Sequence, residues 1–157
     1  MRLDHPEVRE LLPEDTRLAH RAMLELRPRI GAVADFVEHI NRVQRAEGYR
    51  LVAAFDPSEA DAAAVGGFRI GHFLAWGRAM YCDDLSTRMA FRGKGYGGVL
   101  IDWMLAEARR LGCEQFHLDS GVGPDRQDAH RLYLNKRMRI SSHHFAIALE
   151  PPGASKG

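Results

Sequence analysis

The sequence has little cysteine, almost no net charge and no long apolar run, and each of these scarcities excludes a class of protein. Two of the 157 residues are cysteines, Cys82 and Cys113, and no CxxC pair occurs, which excludes a disulfide-built scaffold and favours a reducing, cytoplasmic location. The 22 Lys and Arg nearly balance the 21 Asp and Glu, so general attraction to nucleic acid or to an anionic membrane is not expected. No stretch reaches the roughly 18 apolar residues of a membrane span.

The length and the apolar content fit one domain with a hydrophobic core. A chain of 157 residues, 45% of them hydrophobic, is the size of a single ordinary domain. We expect that domain over residues 1–150, followed by a polar tail at 151–157.

Hydrophobic periodicity predicts helices and strands within one α/β (α+β) unit of mixed strand direction. The expected elements are a short strand ending near Leu12, two amphipathic helices before Gly48, strands at 51–55, 64–76 and 81–87, a helix ending near Leu111, a strand at 115–118, a helix at 125–136 and a strand at 143–149. Gly48 and Gly112 stand where left-handed caps would end helices.

A glycine-rich segment lies between a predicted strand and the helix that ends near Leu111. It reads Arg92-Gly93-Lys94-Gly95-Tyr96-Gly97-Gly98. Glycines allow consecutive backbone N–H groups to turn toward one anion, and the start of the helix adds unpaired amides and a positive dipole end. The two cations favour a diphosphate over a carboxylate as the ligand. A plain tight turn with solvated cations is the alternative, but it explains four glycines poorly.

Two other phosphate-binding motifs compete for this segment. A Walker A loop is excluded because Lys94 is followed by Gly95 instead of Ser or Thr. A dinucleotide fingerprint stays open, since Gly93, Gly95 and Gly98 form GxGxxG and Asp119 follows 21 residues after Gly98. Against it, residues 88–92 separate the loop from the end of the preceding predicted strand.

The segment 92–97 resembles the [RQ]-x-x-G-x-[GA] motif of the GNAT N-acetyltransferase superfamily, in which that loop binds the pyrophosphate of acetyl-CoA. The stretches 83–87 and 129–134 resemble the strand before that motif and the later helix with its tyrosine. The stretches 117–120 and 128–134 are most similar to small bacterial members, including the aminoalkylphosphonate acetyltransferases.

This resemblance implies a GNAT-like mixed, mostly antiparallel central sheet flanked by helices, and a homodimer. It implies that strand 81–87 splays from its neighbour and that its backbone pairs with the pantetheine arm of acetyl-CoA. The cofactor-binding residues would be Leu85, Ser86, Thr87, Arg92, Gly93, Lys94, Gly95, Tyr96, Gly97 and Gly98.

The same resemblance makes Tyr133 the candidate general acid and Asp84 the candidate general base. A tyrosine stays protonated at neutral pH and can protonate a departing thiolate. From the residues alone, packing on its own helical face is the better explanation of Tyr133, and it is the family position that favours the general acid. Strand alternation predicts that Asp83 and Asp84 point to opposite faces, so that only one reaches the acceptor. A salt bridge is the competing explanation for Asp84. The eight histidines have no familiar ligand spacing, and we expect no metal.

Three functions of different classes remain. The first is an acetyl-CoA-dependent N-acetyltransferase whose partner is a small-molecule primary amine, with no nucleic acid and no membrane. The second is a non-catalytic acyl-CoA-binding or sensor module. The third is a nucleotide-binding domain that uses the GxGxxG pattern.

Overall fold

The computed structural model describes residues 6–153; residues 1–5 of the expected domain and residues 154–157 of the expected tail lie outside the described residues. Its centre is a five-stranded sheet in the order β1-β2-β3-β4-β5. The strands are β1 (Glu7–Leu11), β2 (Arg50–Phe55), β3 (Ala64–Phe73), β4 (Gly77–Thr87) and β5 (Gln115–Leu118). Neighbours run antiparallel except β4 and β5, which are parallel. The mixed, mostly antiparallel sheet is thus confirmed, and one parallel pair does not fit the dinucleotide-binding fold.

Helices cover both faces of this sheet. The α-helices are α1 (His20–Leu26), α2 (Val33–His39), α3 (Tyr96–Arg110) and α4 (Gln127–Asn135). Shorter helical segments are the 3₁₀ turns Pro13–Ala19, Pro28–Ile30, Arg45–Glu47, Met89–Phe91 and Pro124–Arg126, and the π-helix Ile40–Gln44. Within the part of the chain described, no helix combines the length and the apolar character needed to cross a membrane.

The alternation of β2 explains the two layers of the core. Leu51 and Ala53 pack with α1 and α2 on one face, whereas Val52 and Ala54 pack with α3 on the other. All four side chains are fully buried, as expected for a strand covered on both sides. The apolar residues of α3 face the second layer, and the helix is followed by Gly112 with φ of 72°, which confirms the predicted left-handed position.

Two predicted strands differ in the structure. β3 and β4 form a hairpin closed by residues 74–76, so β4 begins at Gly77 instead of residue 81. The predicted strand at 143–149 is wrong: this stretch has no strand partner among residues 6–153, and Phe145 is 91% exposed. Its apolar alternation is that of a strand, but a strand also requires a neighbouring ladder of hydrogen bonds.

Candidate active site

The glycine-rich segment forms an uncapped helix start. Gly93 and Gly95 have φ of 74° and 95°, and Gly95 is the residue before α3. This left-handed conformation suits glycine and turns the chain into the helix. No side chain among the described residues caps α3, so the amides of its first turn are available to an external acceptor. The arrangement provides an anion site at the positive end of a helix.

Two exposed cations flank this helix start. The Arg92 guanidinium donates a 3.1 Å hydrogen bond from Nε to the carbonyl of Thr87, and Nζ of Lys94 lies 5.3 Å from the centre of the Phe91 ring. Both side chains therefore stay beside the loop. Positive charge is thus added where the helix amides are free.

Tyr96 differs from its neighbours in the segment. Its side chain is 1% exposed, and its hydroxyl donates a 2.5 Å hydrogen bond to Oδ2 of Asp56. Burial and this bond raise the pKa of Tyr96 to about 12. The Tyr96 ring belongs to the core, so only its backbone amide is placed for a ligand.

The second half of β4 has an open edge. Pairing between β4 and β5 ends at Cys82 and Leu118, while β4 stays bonded to β3 as far as Thr87. Every second residue over 83–87 therefore directs its backbone N–H and C=O away from β3. The predicted cofactor residues Leu85, Ser86 and Thr87 lie on this stretch. The Ser86 side chain donates to the carbonyl of Ala22 at 2.7 Å, which leaves the backbone as the binding element.

The open edge, the start of α3 and the helix α4 meet at Gly97. A Cβ added at Gly97 would lie 3.1 Å from Cδ2 of Leu132 on α4 and 3.6 Å from the Thr87 hydroxyl oxygen. Even a methyl group would thus be tight there. The absence of a side chain lets the three elements approach closely and places the helix amides beside the end of β4.

Tyr133 follows Leu132 on α4 and is half-buried. Burial raises the pKa of Tyr133, with the neighbouring Cys82 thiol as a second cause. Cys82 is the last residue of β4 that pairs with β5. Among the hydrogen bonds of residues 6–153, none involves the Tyr133 hydroxyl. Tyr133 is therefore a protonated donor close to the point where the two strands separate.

A cavity of about 780 Å³ lies between the sheet and the helices α1 and α2, and both Asp83 and Asp84 line it. The expectation that the two carboxylates point to opposite faces is wrong. In the register of β3 and β4, Gly67 pairs with Asp84 and Phe68 with Cys82, so Asp83 is an extra residue in a β-bulge. A bulge interrupts strand alternation, and it brings both acids to one cavity.

The two acids have different partners. Asp84 accepts hydrogen bonds on both oxygens: Nη2 of Arg27 lies 2.8 Å from Oδ1, and the Tyr49 hydroxyl donates to Oδ2 at 2.8 Å. Oδ2 of Asp83 accepts from Nε of Arg69 at 2.8 Å. Oδ1 of Asp83 is buried and has no hydrogen-bond partner among the described residues. Burial raises the pKa of Asp83, and the Arg69 guanidinium opposes this shift.

Several of these contacts were not foreseen from the sequence. Arg27, Tyr49 and Arg69 are far from Asp83 and Asp84 along the chain, and no local motif marks them. Asp119, the acidic residue that follows the GxGxxG pattern, accepts a hydrogen bond from the Tyr81 hydroxyl. Among the described residues, no group of three His, Cys, Asp or Glu side chains could hold a metal ion.

The geometry agrees with a family assignment. The model of the acetyltransferase (GNAT) family matches residues 8–138. The chain belongs to this family. It is 28% identical over 123 residues to an uncharacterised N-acetyltransferase, YhdJ, of Bacillus subtilis, covering 78% of this chain and 83% of the relative.

Solved GNAT structures share the fold at low identity. A glucosamine-6-phosphate N-acetyltransferase from Arabidopsis thaliana has a TM-score of 0.75 at 17% identity, covering 94% of this chain and 100% of its own. An aminoglycoside N-acetyltransferase solved with CoA has a TM-score of 0.76 at 12% identity, covering 94% of this chain and 96% of its own. The predicted GNAT family and fold are therefore confirmed. The likeness to the aminoalkylphosphonate branch stays a prediction.

Proposed function

We propose that the protein transfers the acetyl group of acetyl-CoA to a primary amine of a small molecule by direct attack of the amine on the thioester. The observation that carries the proposal is the uncapped start of α3 beside the open edge of β4. A diphosphate and an extended amide-bearing arm are the two parts of CoA that such a pair of surfaces would bind.

The cofactor half of the site is assigned to backbone groups. The backbone N–H groups of residues 93–98 would donate hydrogen bonds to the diphosphate, and the positive charges of Arg92 and Lys94 would attract it. The backbone N–H and C=O groups over 85–87 that point away from β3 and are not bonded to Arg92 would bind the pantetheine arm as an added strand does. A backbone amide where β4 separates from β5 would stabilise the charge that develops on the thioester oxygen.

The acceptor half is assigned to the cavity with the acid pair. An amine must lose a proton before or during attack, and a carboxylate within the cavity would serve as the proton acceptor. Asp84 was the candidate from the sequence, but Arg27 and Tyr49 occupy both its oxygens. We assign the base to Asp83, because its Oδ1 has no hydrogen-bond partner among residues 6–153 and because burial raises the pKa of Asp83. Asp84 then holds Arg27 and Tyr49 in the wall of the cavity.

The proton balance of the reaction uses Asp83 and Tyr133. The amine nitrogen forms a bond to the acetyl carbon while the bond from carbon to sulfur breaks. Asp83 takes the proton that the amine gives up, and Tyr133 protonates the departing thiolate. Proton exchange with solvent then returns Asp83 to its carboxylate form and Tyr133 to its neutral hydroxyl form. The free thiols Cys82 and Cys113 favour a reducing compartment, so the proposal places the enzyme in the cytoplasm.

The test is release of CoA thiol from acetyl-CoA in the presence of a broad library of amines. We expect thiol release with at least one amine, and a higher KM for acetyl-CoA when Arg92 and Lys94 are both changed to Ala. Arg42→Ala is the matched control, because Arg42 is exposed and pairs only with Glu38 within the described residues. Saturable CoA binding without thiol release for any amine would instead favour the non-catalytic sensor.

A further inference from the structure

We propose that the acceptor is an amino acid, a molecule with one primary amine and one carboxylate, and that Arg29 binds the carboxylate at the rim of the cavity while the amine faces Asp83. This inference rests on the proposed function, since it names the class of amine that the same cavity takes. It follows from the charged side chains that line the cavity and from the partners that they already have.

The cavity wall carries as many arginines as aspartates. A molecule of zero net charge enters such a space without adding net charge where water is partly excluded. A polyamine would instead bring several positive charges close to three arginines, and like charges at short range repel each other. The balance therefore favours a zwitterion over a polycation. The six side chains are Arg27, Arg29, Arg69, Asp35, Asp83 and Asp84.

Two of the three arginines are paired with the acids of the cavity. Nη2 of Arg27 lies 2.8 Å from Oδ1 of Asp84. Nε of Arg69 donates a 2.8 Å hydrogen bond to Oδ2 of Asp83. A guanidinium whose charge is already offset by a carboxylate attracts a substrate anion less strongly. Arg27 and Arg69 therefore serve as partners of the acid pair.

Arg29 is the arginine of the cavity without such a partner. Its guanidinium makes no ion pair and no hydrogen bond with any group of residues 6–153. The side chain is exposed and lines the cavity. A guanidinium presents a planar fork of N–H donors that matches the two oxygens of a carboxylate. The positive charge of Arg29 is thus available to an anionic group of the substrate.

Asp35 is the acid of the cavity that no arginine holds among the described residues, and the start of α2 explains it. Asp35 lies in the first turn of this helix. A Cβ added at Gly31, just before the helix, would lie 3.6 Å from Oδ2 of Asp35. Negative charge at a helix start is stabilised by the helix dipole. The start of α2 therefore offsets the charge of Asp35, whereas no group of residues 6–153 offsets that of Arg29.

The backbone that carries Arg29 is tied to the acid pair. Arg29 lies in the 3₁₀ turn Pro28–Ile30, whose last amide bonds to the carbonyl of Arg27 at 3.1 Å. The Arg27 side chain in turn contacts Asp84 and donates to the backbone carbonyl of Asp83 at 3.2 Å. The free cation and the acid pair thus face one cavity from anchored positions, as the two charged ends of one small molecule require.

The single free cation also selects the acidic group of the substrate. A carboxylate carries one negative charge, whereas a phosphate or phosphonate group carries more than one at neutral pH. Arg29 offers one positive charge, so we assign a carboxylate. The apolar side chains of Met23, Phe36 and Ile40 also line the cavity, and they suit the carbon chain that joins the amine to the carboxylate.

The experiment compares amino acids with the amines that remain when the carboxylate is removed. Thiol release from acetyl-CoA is measured for leucine against 3-methylbutylamine, for 4-aminobutyrate against propylamine, and for the other common amino acids against their own decarboxylated partners. The panel also contains 3-aminopropylphosphonate and 1,4-diaminobutane. We expect at least one amino acid with a kcat/KM about 10–100-fold above that of its partner, the range of a charged hydrogen bond. Decarboxylated amines, the phosphonate or the diamine used as well as the best amino acid would overturn the proposal.

Substitution of Arg29 separates recognition of the carboxylate from differences in amine basicity. Arg29→Ala should raise the KM for the amino acid about 10–100-fold. It should leave kcat, the KM for acetyl-CoA and the kcat/KM of the decarboxylated amine unchanged, because only a binding contact is lost. Arg29→Glu should shift the preference toward 1,4-diaminobutane. Arg17→Ala is the matched control, because Arg17 is also exposed, has no ion pair among residues 6–153 and lies outside the cavity. Equal losses for amino acid and amine in Arg29→Ala would mean a structural role and contradict the inference.

A binding measurement distinguishes failure of this inference from failure of the proposed reaction. Calorimetric titration of each amino acid of the panel into the CoA-saturated protein needs no acetyl transfer. Binding that Arg29→Ala weakens, without thiol release from any amine, would contradict the reaction and support the carboxylate site. Thiol release only from amines without a carboxylate would support the reaction and overturn the inference, as would the absence of amino acid binding in both assays.

Discussion

The hydroxyl of Tyr49 donates a 2.8 Å hydrogen bond to Oδ2 of Asp84. Tyr49 reaches this carboxylate across Gly67, the residue that pairs with Asp84 in the β3–β4 register. A Cβ at Gly67 would overlap the Tyr49 ring. Gly67 is thus required for the position of Tyr49, which in turn holds one acid of the cavity.

Gly67→Ala is expected to push Tyr49 away from Asp84. The overlap is with a buried ring, so we expect a loss of about 1–3 kcal/mol in the free energy of unfolding and a lower kcat. Urea denaturation and steady-state kinetics measure the two effects. Gly121→Ala is the control, since a Cβ there meets Arg126 at an ordinary 3.7 Å. Equal stability for both variants would contradict the close approach.

Tyr133→Phe is expected to lower kcat by about 100-fold, in the range typical of a general acid. The KM for acetyl-CoA should change little, because the Tyr133 ring is retained. Steady-state kinetics with both substrates separate the two parameters. Similar losses in kcat and in CoA affinity would indicate a binding role instead.

Asp83→Asn is expected to reduce kcat more than Asp84→Asn. A general base acts in its deprotonated form, so kcat should rise as the pH increases through the pKa of that base. Burial raises the pKa of Asp83. The rising limb of the pH–kcat profile should therefore lie above the ordinary aspartate pKa of about 3.9. Asp83→Asn should abolish the limb. Asp84→Asn should mainly lower stability, because Arg27 and Tyr49 lose a charged partner. A limb that disappears only in Asp84→Asn would reassign the base to Asp84.

Arg137→Gly is expected to stabilise the protein by roughly 0.5–1 kcal/mol. Arg137 has φ of 63°, and the amides of Arg137 and Met138 bond to the carbonyls of Leu134 and Tyr133. This is a Schellman ending of α4, in which glycine is favoured. Thermal melting measures the gain. Asn135→Gly, at the last residue of the same helix, is the control and should lower the melting temperature.

The unfolding free energy should fall as the pH drops from about 4.5 to about 2, partly through Glu107. Hydrogen bonds from Arg110, then Arg50, lower the pKa of Glu107 to about 2 despite its burial. A carboxylate with a lowered folded-state pKa stabilises the protein above its unfolded pKa and loses that contribution toward the folded one. Glu107→Gln should flatten the acid slope in urea titrations. Glu38→Gln, in an exposed pair with Arg42, should leave it unchanged.

Local features of the chain were predictable. Helix α3, the left-handed Gly112 and the strand Gln115–Leu118 follow from periodicity and glycine chemistry within a few neighbouring residues. The anion loop was predictable for the same reason, since its glycines and the helix start lie next to one another in sequence.

Nonlocal features were not predictable. One extra residue in the β3–β4 register turned Asp83 toward the side of Asp84, and strand alternation could not anticipate it. The alternating pattern at 143–149 predicted a strand that the structure does not form, because whether a hydrogen-bonding neighbour stands beside a segment depends on elements distant in sequence.

The sequence by itself determined the sheet-and-helix unit, its family and the loop that precedes α3, because glycine conformations and apolar spacing act over short stretches of chain. Only the tertiary structure decided which arginines and tyrosine surround the acid pair, since Arg27, Tyr49 and Arg69 meet it through packing. It also decided that β5 has β4 as its one strand neighbour among residues 6–153, because the pairing of a strand edge depends on where distant parts of the chain lie.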